Sequence, residues 1–277
     1  MRSRGPGPVE ISIGIPAYNE EANIGKLLKA LLGQELPEHM AIKEILVVAS
    51  GCTDGTEDVV RGFEEEDPRV KLLSEPERRG QTSAINELMR HFQGDIVVFM
   101  CADTIPARRS IGLLVGPLLS DPSVGAVVGR AVPINDPGTP WGLMAHLQFE
   151  WLYQPELLAV NFESMTAMRK ELLKPIPPDV MVPELYLDAL VKWQGYRVVH
   201  VPEAVVYTKQ PDNVWDYVEQ KKRDTFHILH LRSYGIVVER RKPKHLLSFF
   251  LKGLISNPKK AFWIASVAFL LASCYAR

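Results

Sequence analysis

The sequence predicts an α/β fold: a mainly parallel sheet flanked by helices, followed by a basic, partly apolar helical C-terminal tail. Three observations carry this. Short β-branched runs and amphipathic runs alternate from residue 9 to about residue 130, with short loops between them. The chain has 277 residues, and 46% of them are apolar, which suffices for one large domain or two small ones with a core. Charge is unevenly spread: residues 211–277 hold 12 Lys+Arg against 5 Asp+Glu, and residues 1–210 hold 20 against 28. The expected division is therefore a catalytic-type domain over 1–210 and a basic tail over 211–277.

Residues 9–15, VEISIGI, alternate and are β-branched, which reads as a strand ended by Pro16. In 20–32, EEANIGKLLKALL, residues Ile24, Leu27, Leu28 and Leu31 recur at helical spacing behind two acids. EILVVAS (44–50) is a second strand. TDGTEDVVRGFEEE (53–66) opens a helix that Thr53 or Asp54 is placed to cap. RVKLL (69–73) is a third strand, QTSAINELMRHF (81–92) a helix, and DIVVFM (95–100) a fourth strand.

Beyond residue 130 the pattern loosens. Residues 133–140 read as a loop, and 141–159 as a helix interrupted at Pro155. PELYLDALVKWQG (183–195) is an amphipathic helix stopped by Gly195. YRVVHV (196–201) and AVVY (204–207) are short strands. Trp215 to about Tyr234 is a helix, basic around Lys221-Lys222-Arg223. Two apolar runs follow, LLSFFLKGLI (246–255) and AFWIASVAFLLASC (261–274). Both fall short of the roughly 20 apolar residues of a membrane span. The first suits an interfacial helix; the second suits a core helix or a span cut short. With the basic balance of this region, an anionic membrane surface is the expected partner. A net charge of −1 gives no reason to expect nucleic acid. Cys52, Cys101 and Cys274 are scattered, against a disulfide framework and for a reducing compartment. The start, MRSRGPGPVE, lacks the apolar segment of a signal peptide. The seven histidines show no metal spacing, and His227 and His230 read as surface residues.

In a parallel α/β sheet, ligands bind beyond the carboxyl ends of the strands. Four such ends are visible: Pro16-Ala17-Tyr18-Asn19-Glu20, residues 49–55, residues 74–80, and Cys101-Ala102-Asp103. They must cluster, and their Gly, Asn and Asp content suits a nucleotide. Asn19 and Glu20 are candidates for nucleotide contact, and Arg79 and Gly80 for the diphosphate or base. Asn86 is either a satisfied core residue or a ribose contact. Asp103, at the end of an apolar run, is a natural metal or phosphate site.

IPAYNEEANIGKLL, EILVVASGCTDGTEDVV, RRGQTSAINELM and DIVVFMCADTIP stand in the order and spacing of the family 2 glycosyltransferases, and residues 9–235 resemble that family. The resemblance implies the GT-A fold and inverting sugar transfer from a nucleotide-diphosphate sugar, with Mg²⁺ or Mn²⁺ as cofactor. It implies a nucleotide-sugar site over Pro16, Ala17, Tyr18, Asn19, Glu20, Ser50, Arg79, Gly80, Ala102 and Asp103, with Asp103 on the metal. The chain departs from the pattern twice. The family's second strand commonly ends in two aspartates, one contacting the base; here Ala49 and Ser50 stand there. The metal motif is commonly Asp-x-Asp; here it is Cys101-Ala102-Asp103. The last Asp is the one aimed at the metal, and a cation such as Mg²⁺ can be held by one or two carboxylates plus phosphate. Cys101 is a poor ligand for a hard cation.

PELYL sits where the family has Glu-Asp-x-x-Leu, whose Asp is the general base. Glu184 occupies that place, and Asp188, four residues on, is the second candidate. Gln220-Lys221-Lys222-Arg223-Asp224 resembles the Gln-x-x-Arg-Trp of membrane-linked members, without its Trp, which implies Gln220 and Arg223 at the acceptor or diphosphate. The expected acceptor is a lipid-linked one, such as a polyprenyl phosphate, or a saccharide, and the expected location is the cytoplasmic face of the cell membrane. Two other classes compete. A sugar-phosphate nucleotidyltransferase wants a Gly-rich loop with Arg and Lys after the first strand, where this chain has Ala17 to Glu20. A non-catalytic binding protein that kept the fold is favoured by the losses at Ala49, Ser50 and Cys101.

Overall fold

A computed structural model describes residues 7–153 and 164–236. In chain order the elements are β1 (Val9–Ala17), α1 (Ile24–Leu32), β2 (Met40–Ser50), α2 (Thr56–Glu66), β3 (Val70–Glu75), α3 (Gln81–His91), β4 (Ile96–Met100), β5 (Thr104–Pro106), α4 (Ser110–Ser120), β6 (Val124–Pro133), α5 (Pro140–Leu152), β7 (Met165–Arg169), α6 (Pro183–Trp193), β8 (Arg197–Thr208) and α7 (Val214–Leu231). The chain divides into two compact units, Met1–Ala131 with Val160–Tyr207, and Val132–Ala159 with Thr208–Arg277.

The first unit is built on a sheet of order β3-β2-β1-β4-β7-β6-β8-β5. Pairings β3/β2, β2/β1 and β1/β4 are parallel. β7 then enters antiparallel between β4 and β6. β1 is the hub: the chain moves outward from it to β2 and β3, then returns to place β4 on its other side. Ile11, Ile13, Ile15, Val47, Val48, Val97 and Val98 are buried, as near-continuous apolar runs in parallel strands must be. Pro16 does not end β1. Pairing with β4 stops at Gly14, so Pro16 lies where β2 alone remains as neighbour, and its missing N–H breaks no ladder on that side. The two short strands expected over 196–207 are one, β8.

A buried polar pin ties the opposite, amino-terminal edge of the parallel strands. Glu44 is 1% exposed. Its Oε1 accepts from Ser12 Oγ at 2.7 Å and from Gln93 N–H at 2.7 Å, and Ser12 Oγ in turn accepts from Gly94 N–H at 2.8 Å. Lys71 Nζ reaches Glu44 Oε2 at 3.4 Å. One carboxylate thus joins β1, β2, β3 and the turn into β4.

In the second unit, Asn135 holds the loop before α5 to the segment before α7. Its Nδ2 donates to Gln210 O (2.9 Å) and Asp212 Oδ1 (2.7 Å), and its Oδ1 accepts from Gln210 N–H (2.8 Å). Asn213 caps α7, accepting from Asp216 N–H at 3.0 Å. Among the described residues no helix is long and apolar enough to cross a membrane. Pro155 and the apolar runs 246–255 and 261–274 lie outside the described residues.

Glu44→Ala is expected to destabilise the protein by about 2–4 kcal/mol, because it strands the Ser12 hydroxyl and the Gln93 N–H without acceptors. Urea unfolding measures this; a loss below about 1 kcal/mol would show that the pin contributes little.

Candidate active site

The direction of the parallel strands sends their carboxyl ends to one edge. Chain order makes the ends of β1 and β4 the point where the connections diverge to opposite sides, which is where such sheets open a crevice. Residues 17–20 and 101–103 flank it.

The loop after β1 is locked to the loop after β2. Asn19 adopts φ 54, a left-handed conformation that Asn tolerates better than most side chains. Its Oδ1 accepts from Thr53 N–H at 2.8 Å, and its Nδ2 donates to Thr53 Oγ1 at 3.1 Å. Glu20 N–H donates to Thr56 Oγ1 (2.7 Å), Glu21 N–H to Asp54 Oδ2 (3.1 Å), and Gly55 N–H to Glu21 Oε2 (2.9 Å). Asp54 also accepts from Thr56 N–H at 3.1 Å, but the residue at the cap of α2 is Gly55, not the expected Thr53 or Asp54, because the helix starts only at Thr56. The Asn19 side chain is therefore spent on the scaffold, while Glu20 is left at the crevice. Gly51 (φ 64) is required by close approach: a Cβ there would lie 2.3 Å from Arg78 N. Arg78 stacks on Tyr18, its guanidinium carbon 3.9 Å from the ring centre. Arg79 N–H donates to Ser50 Oγ at 3.1 Å. Gly80 has φ 84 and releases α3, whose amino terminus faces this edge.

Three acids share the crevice. Burial raises the Glu20 pKa, with the charges of Asp103 and Asp54 adding to it and the bond from Asn23 opposing it. Cys101 is half-buried as a residue, but its sulfur is deep. Desolvation, and then the charges of Glu184, Asp103 and Glu20, push its thiol far up, so it stays neutral. The charges acting on this sulfur come from Glu20 after β1, Asp103 after β4 and Glu184 on α6, so each of the three carboxylates lies within electrostatic reach of Cys101. Glu184 lies in the first turn of α6 after Pro183 and is half-buried. Burial raises its pKa, opposed by its own backbone N–H and by the bond that Gln81 Nε2 donates to Oε1.

Asp188 stands differently. It is 5% exposed, Lys192 Nζ donates to its Oδ2 at 2.7 Å, and its charge is not among those that act on Cys101. Asn86 is a scaffold residue, bonded through both side-chain atoms to the Ile176 backbone. Gln220 and Arg223 lie on α7, in the second unit. Gln81, which holds Glu184 across 103 positions, had no sequence signal beyond its place after Gly80.

Among the described residues, no group of three or more His, Cys, Asp or Glu could hold a metal ion by itself. The donors present are hard carboxylates, Asp103 and its neighbour Glu20, with Cys101 a neutral thiol. That set suits a cation which keeps part of its water and takes oxygens from a ligand phosphate.

The fold and this edge define a nucleotide-type α/β site carrying acidic groups. Residues 12–176, more than half of the sequence, match Glycosyl transferase family 2, and the chain belongs to that family. The probable glycosyltransferase YdaM of Bacillus subtilis (strain 168) is 27% identical over 226 residues, 74% of this chain and 52% of that protein. The dolichyl-phosphate beta-glucosyltransferase ALG5A of Trichomonas vaginalis is 33% identical over 102 residues, 35% of this chain and 32% of that protein. The chain spans about half, or less, of the length of these curated relatives. The mannosyltransferase PcManGT of Pyrobaculum calidifontis, solved with GDP-Man and Mn²⁺, superposes with a TM-score of 0.64 at 27% identity, over 98% of this chain and 78% of that one. The glucosyl-3-phosphoglycerate synthase of Mycobacterium tuberculosis, at 23% identity and a TM-score of 0.57 over 86% of each chain, shares the fold.

The raised Glu184 pKa has a stability consequence with a defined sign. An acid whose folded pKa is raised stabilises fully below its ordinary pKa, and that contribution is lost as pH rises through the raised value. Glu184→Gln is therefore expected to be more stable than the natural protein at pH 7, by about 0.5–2 kcal/mol. The gap should close as pH falls below the ordinary Glu range. Thermal melts across that range measure it; a destabilised variant at pH 7 would contradict the account.

Proposed function

We propose that the chain carries the catalytic domain of a metal-dependent, inverting glycosyltransferase. It moves a sugar from a nucleotide-diphosphate donor to a lipid-linked acceptor at the cytoplasmic face of the membrane. The observation that carries this reading is the gathering of Glu20, Asp103 and Glu184 around Cys101 at the strand ends. The Mn²⁺ and GDP-Man of PcManGT support the donor and cofactor, and the dolichyl-phosphate in the name of the Trichomonas relative supports a lipid-linked acceptor.

Asp103, with Glu20 beside it, would hold Mn²⁺ or Mg²⁺. When bound, the cation supplies charge neutralisation for the leaving diphosphate. The chain's residues do the rest. The loops 16–20 and 49–55 bind the nucleoside, Arg79 and the amino terminus of α3 orient the diphosphate, and Gly80 allows close approach. The acceptor oxygen attacks the anomeric carbon from the face opposite the diphosphate. The new oxygen–carbon bond forms as the carbon–phosphate-oxygen bond breaks, its electron pair leaves with the diphosphate, and configuration inverts. Glu184 takes the proton of a hydroxyl acceptor. Its raised pKa makes it a stronger base near neutral pH, and Gln81 holds Oε1 so that Oε2 faces the proton. An acceptor that is already a phosphate needs orientation and no deprotonation.

Asp103→Asn keeps size and one oxygen but loses the charge, and it is expected to abolish the metal-dependent part of nucleotide-diphosphate binding. Calorimetric titration with Mn²⁺ and UDP or GDP measures it; wild-type affinity in the variant would remove Asp103 from the metal site. The membrane part is tested separately. Trp215, 77% exposed at the start of α7, precedes Lys222 and Arg223 and a region of strong positive balance. Binding to anionic vesicles should be tight at low salt and weaken steeply as salt rises, at about 1 kcal/mol per basic residue near the surface. Equal co-sedimentation with neutral and anionic vesicles would refute it.

A further inference from the structure

Glu75 ends β3 and is 8% exposed. Its Oε1 accepts from Ser83 Oγ–H at 2.7 Å. Its Oε2 is buried and has no hydrogen-bond partner among the described residues. A buried carboxylate oxygen without a donor is costly, and such a group in a native fold needs a reason. The position supplies one. Glu75 pairs in register with Ser50, and its carbonyl accepts from Gly51 N–H at 2.9 Å. Ala49 and Ser50 stand where the family resemblance expects two aspartates, one of which touches the base. The sheet edge lacks a carboxylate at the end of β2 and carries one, with an unanswered oxygen, one strand over.

We propose that Glu75 is the specificity-determining residue that reads the nucleotide base, and that the base carries a ring N–H on its pairing edge, which means uracil or guanine. This rests on the donor-nucleotide reading above. An ionised carboxylate only accepts hydrogen bonds. Uracil N3–H and guanine N1–H donate to it. Cytosine N3 and adenine N1 are acceptors and would meet Oε2 lone pair against lone pair. Ser83 fixes which oxygen is free: it occupies Oε1 from the first turn of α3 and leaves Oε2 for the ligand. Access runs past the loop between β3 and α3, where residues 76–80 are exposed and Arg79 N–H is bonded to Ser50 Oγ. Entry of the base shifts this loop and brings the missing donor to Oε2.

The test is binding of UDP, GDP, CDP and ADP, each with Mn²⁺, to the natural chain and to Glu75→Gln, with a thermal melt of each to confirm folding. Glutamine can keep the Ser83 bond through its carbonyl and puts an NH₂ where Oε2 was, so donor faces donor. The natural chain is expected to prefer UDP or GDP over CDP and ADP by about 10- to 100-fold, the range for a hydrogen bond to a charged group. In Glu75→Gln the favoured nucleotide should lose about that factor, while CDP and ADP hold or tighten. An unchanged order of affinities in the variant overturns the assignment and leaves the donor reading standing. A natural chain that binds none of the four overturns the donor reading and this assignment with it. Should the Gln variant not fold, Glu75→Asp serves: it keeps the charge and withdraws the oxygens by one methylene. Its expected result is weaker binding with the base order kept, and affinity equal to that of the natural chain overturns the proposal.

Discussion

The parallel direction of β3, β2, β1 and β4 is the constraint from which the site follows. Parallel strands put all their carboxyl ends at one edge, so the polar loops after β1, β2, β3 and β4 have no other place to go. The return of the chain across β1 to form β4 opens the crevice between residues 17–20 and 101–103. The Glu44 pin closes the opposite edge of the same strands, and the Asn19–Thr53 lock fixes the loops above them. Rigid strands below and cross-bonded loops above hold the acids where the chemistry needs them.

Bringing carboxylates together is unfavourable without a cation. Glu20 and Glu184 both have raised pKa values, with burial the larger cause. Cys101 fits this setting better than a second aspartate would in the absence of ligand. Its thiol is pushed so far up by burial and by its acidic neighbours that it adds bulk and no charge. The departure from Asp-x-Asp thus removes one repulsive charge while Asp103 and Glu20 remain as hard oxygen donors.

Much of this was legible in the sequence, because parallel strands and their helices carry strong periodic signals. The first four strands, α1 to α3 and the four loop ends all follow from VEISIGI, EILVVAS, RVKLL, DIVVFM and the apolar spacing between them. Local patterns failed where tertiary context decides. Pro16 reads as a stop, yet the early end of the β4 ladder lets β1 run on. α4 has Ile111, Leu114, Val115 and Leu118 buried and Gly112, Gly116 and Pro117 among them, a composition that hides a helix. β7, five residues long, owes its existence to β4 and β6. Asn19 read as a ligand contact, and its side-chain bonds to Thr53, which tie the two loops together, gave no sequence signal. The partnership of Gln81 with Glu184 and the unanswered oxygen of Glu75 depend on contacts that no sequence window contains.

The central claim is that the crevice between β1 and β4 holds the donor's diphosphate through a cation on Asp103. A crystal structure with Mn²⁺ and UDP or GDP, with anomalous data collected at the manganese edge, tests it most directly. The account predicts one anomalous peak bonded to the Asp103 carboxylate and to diphosphate oxygens, with Glu20 beside it and Cys101 outside the coordination shell. A manganese peak away from Asp103, or one bonded to the Cys101 sulfur, would contradict it.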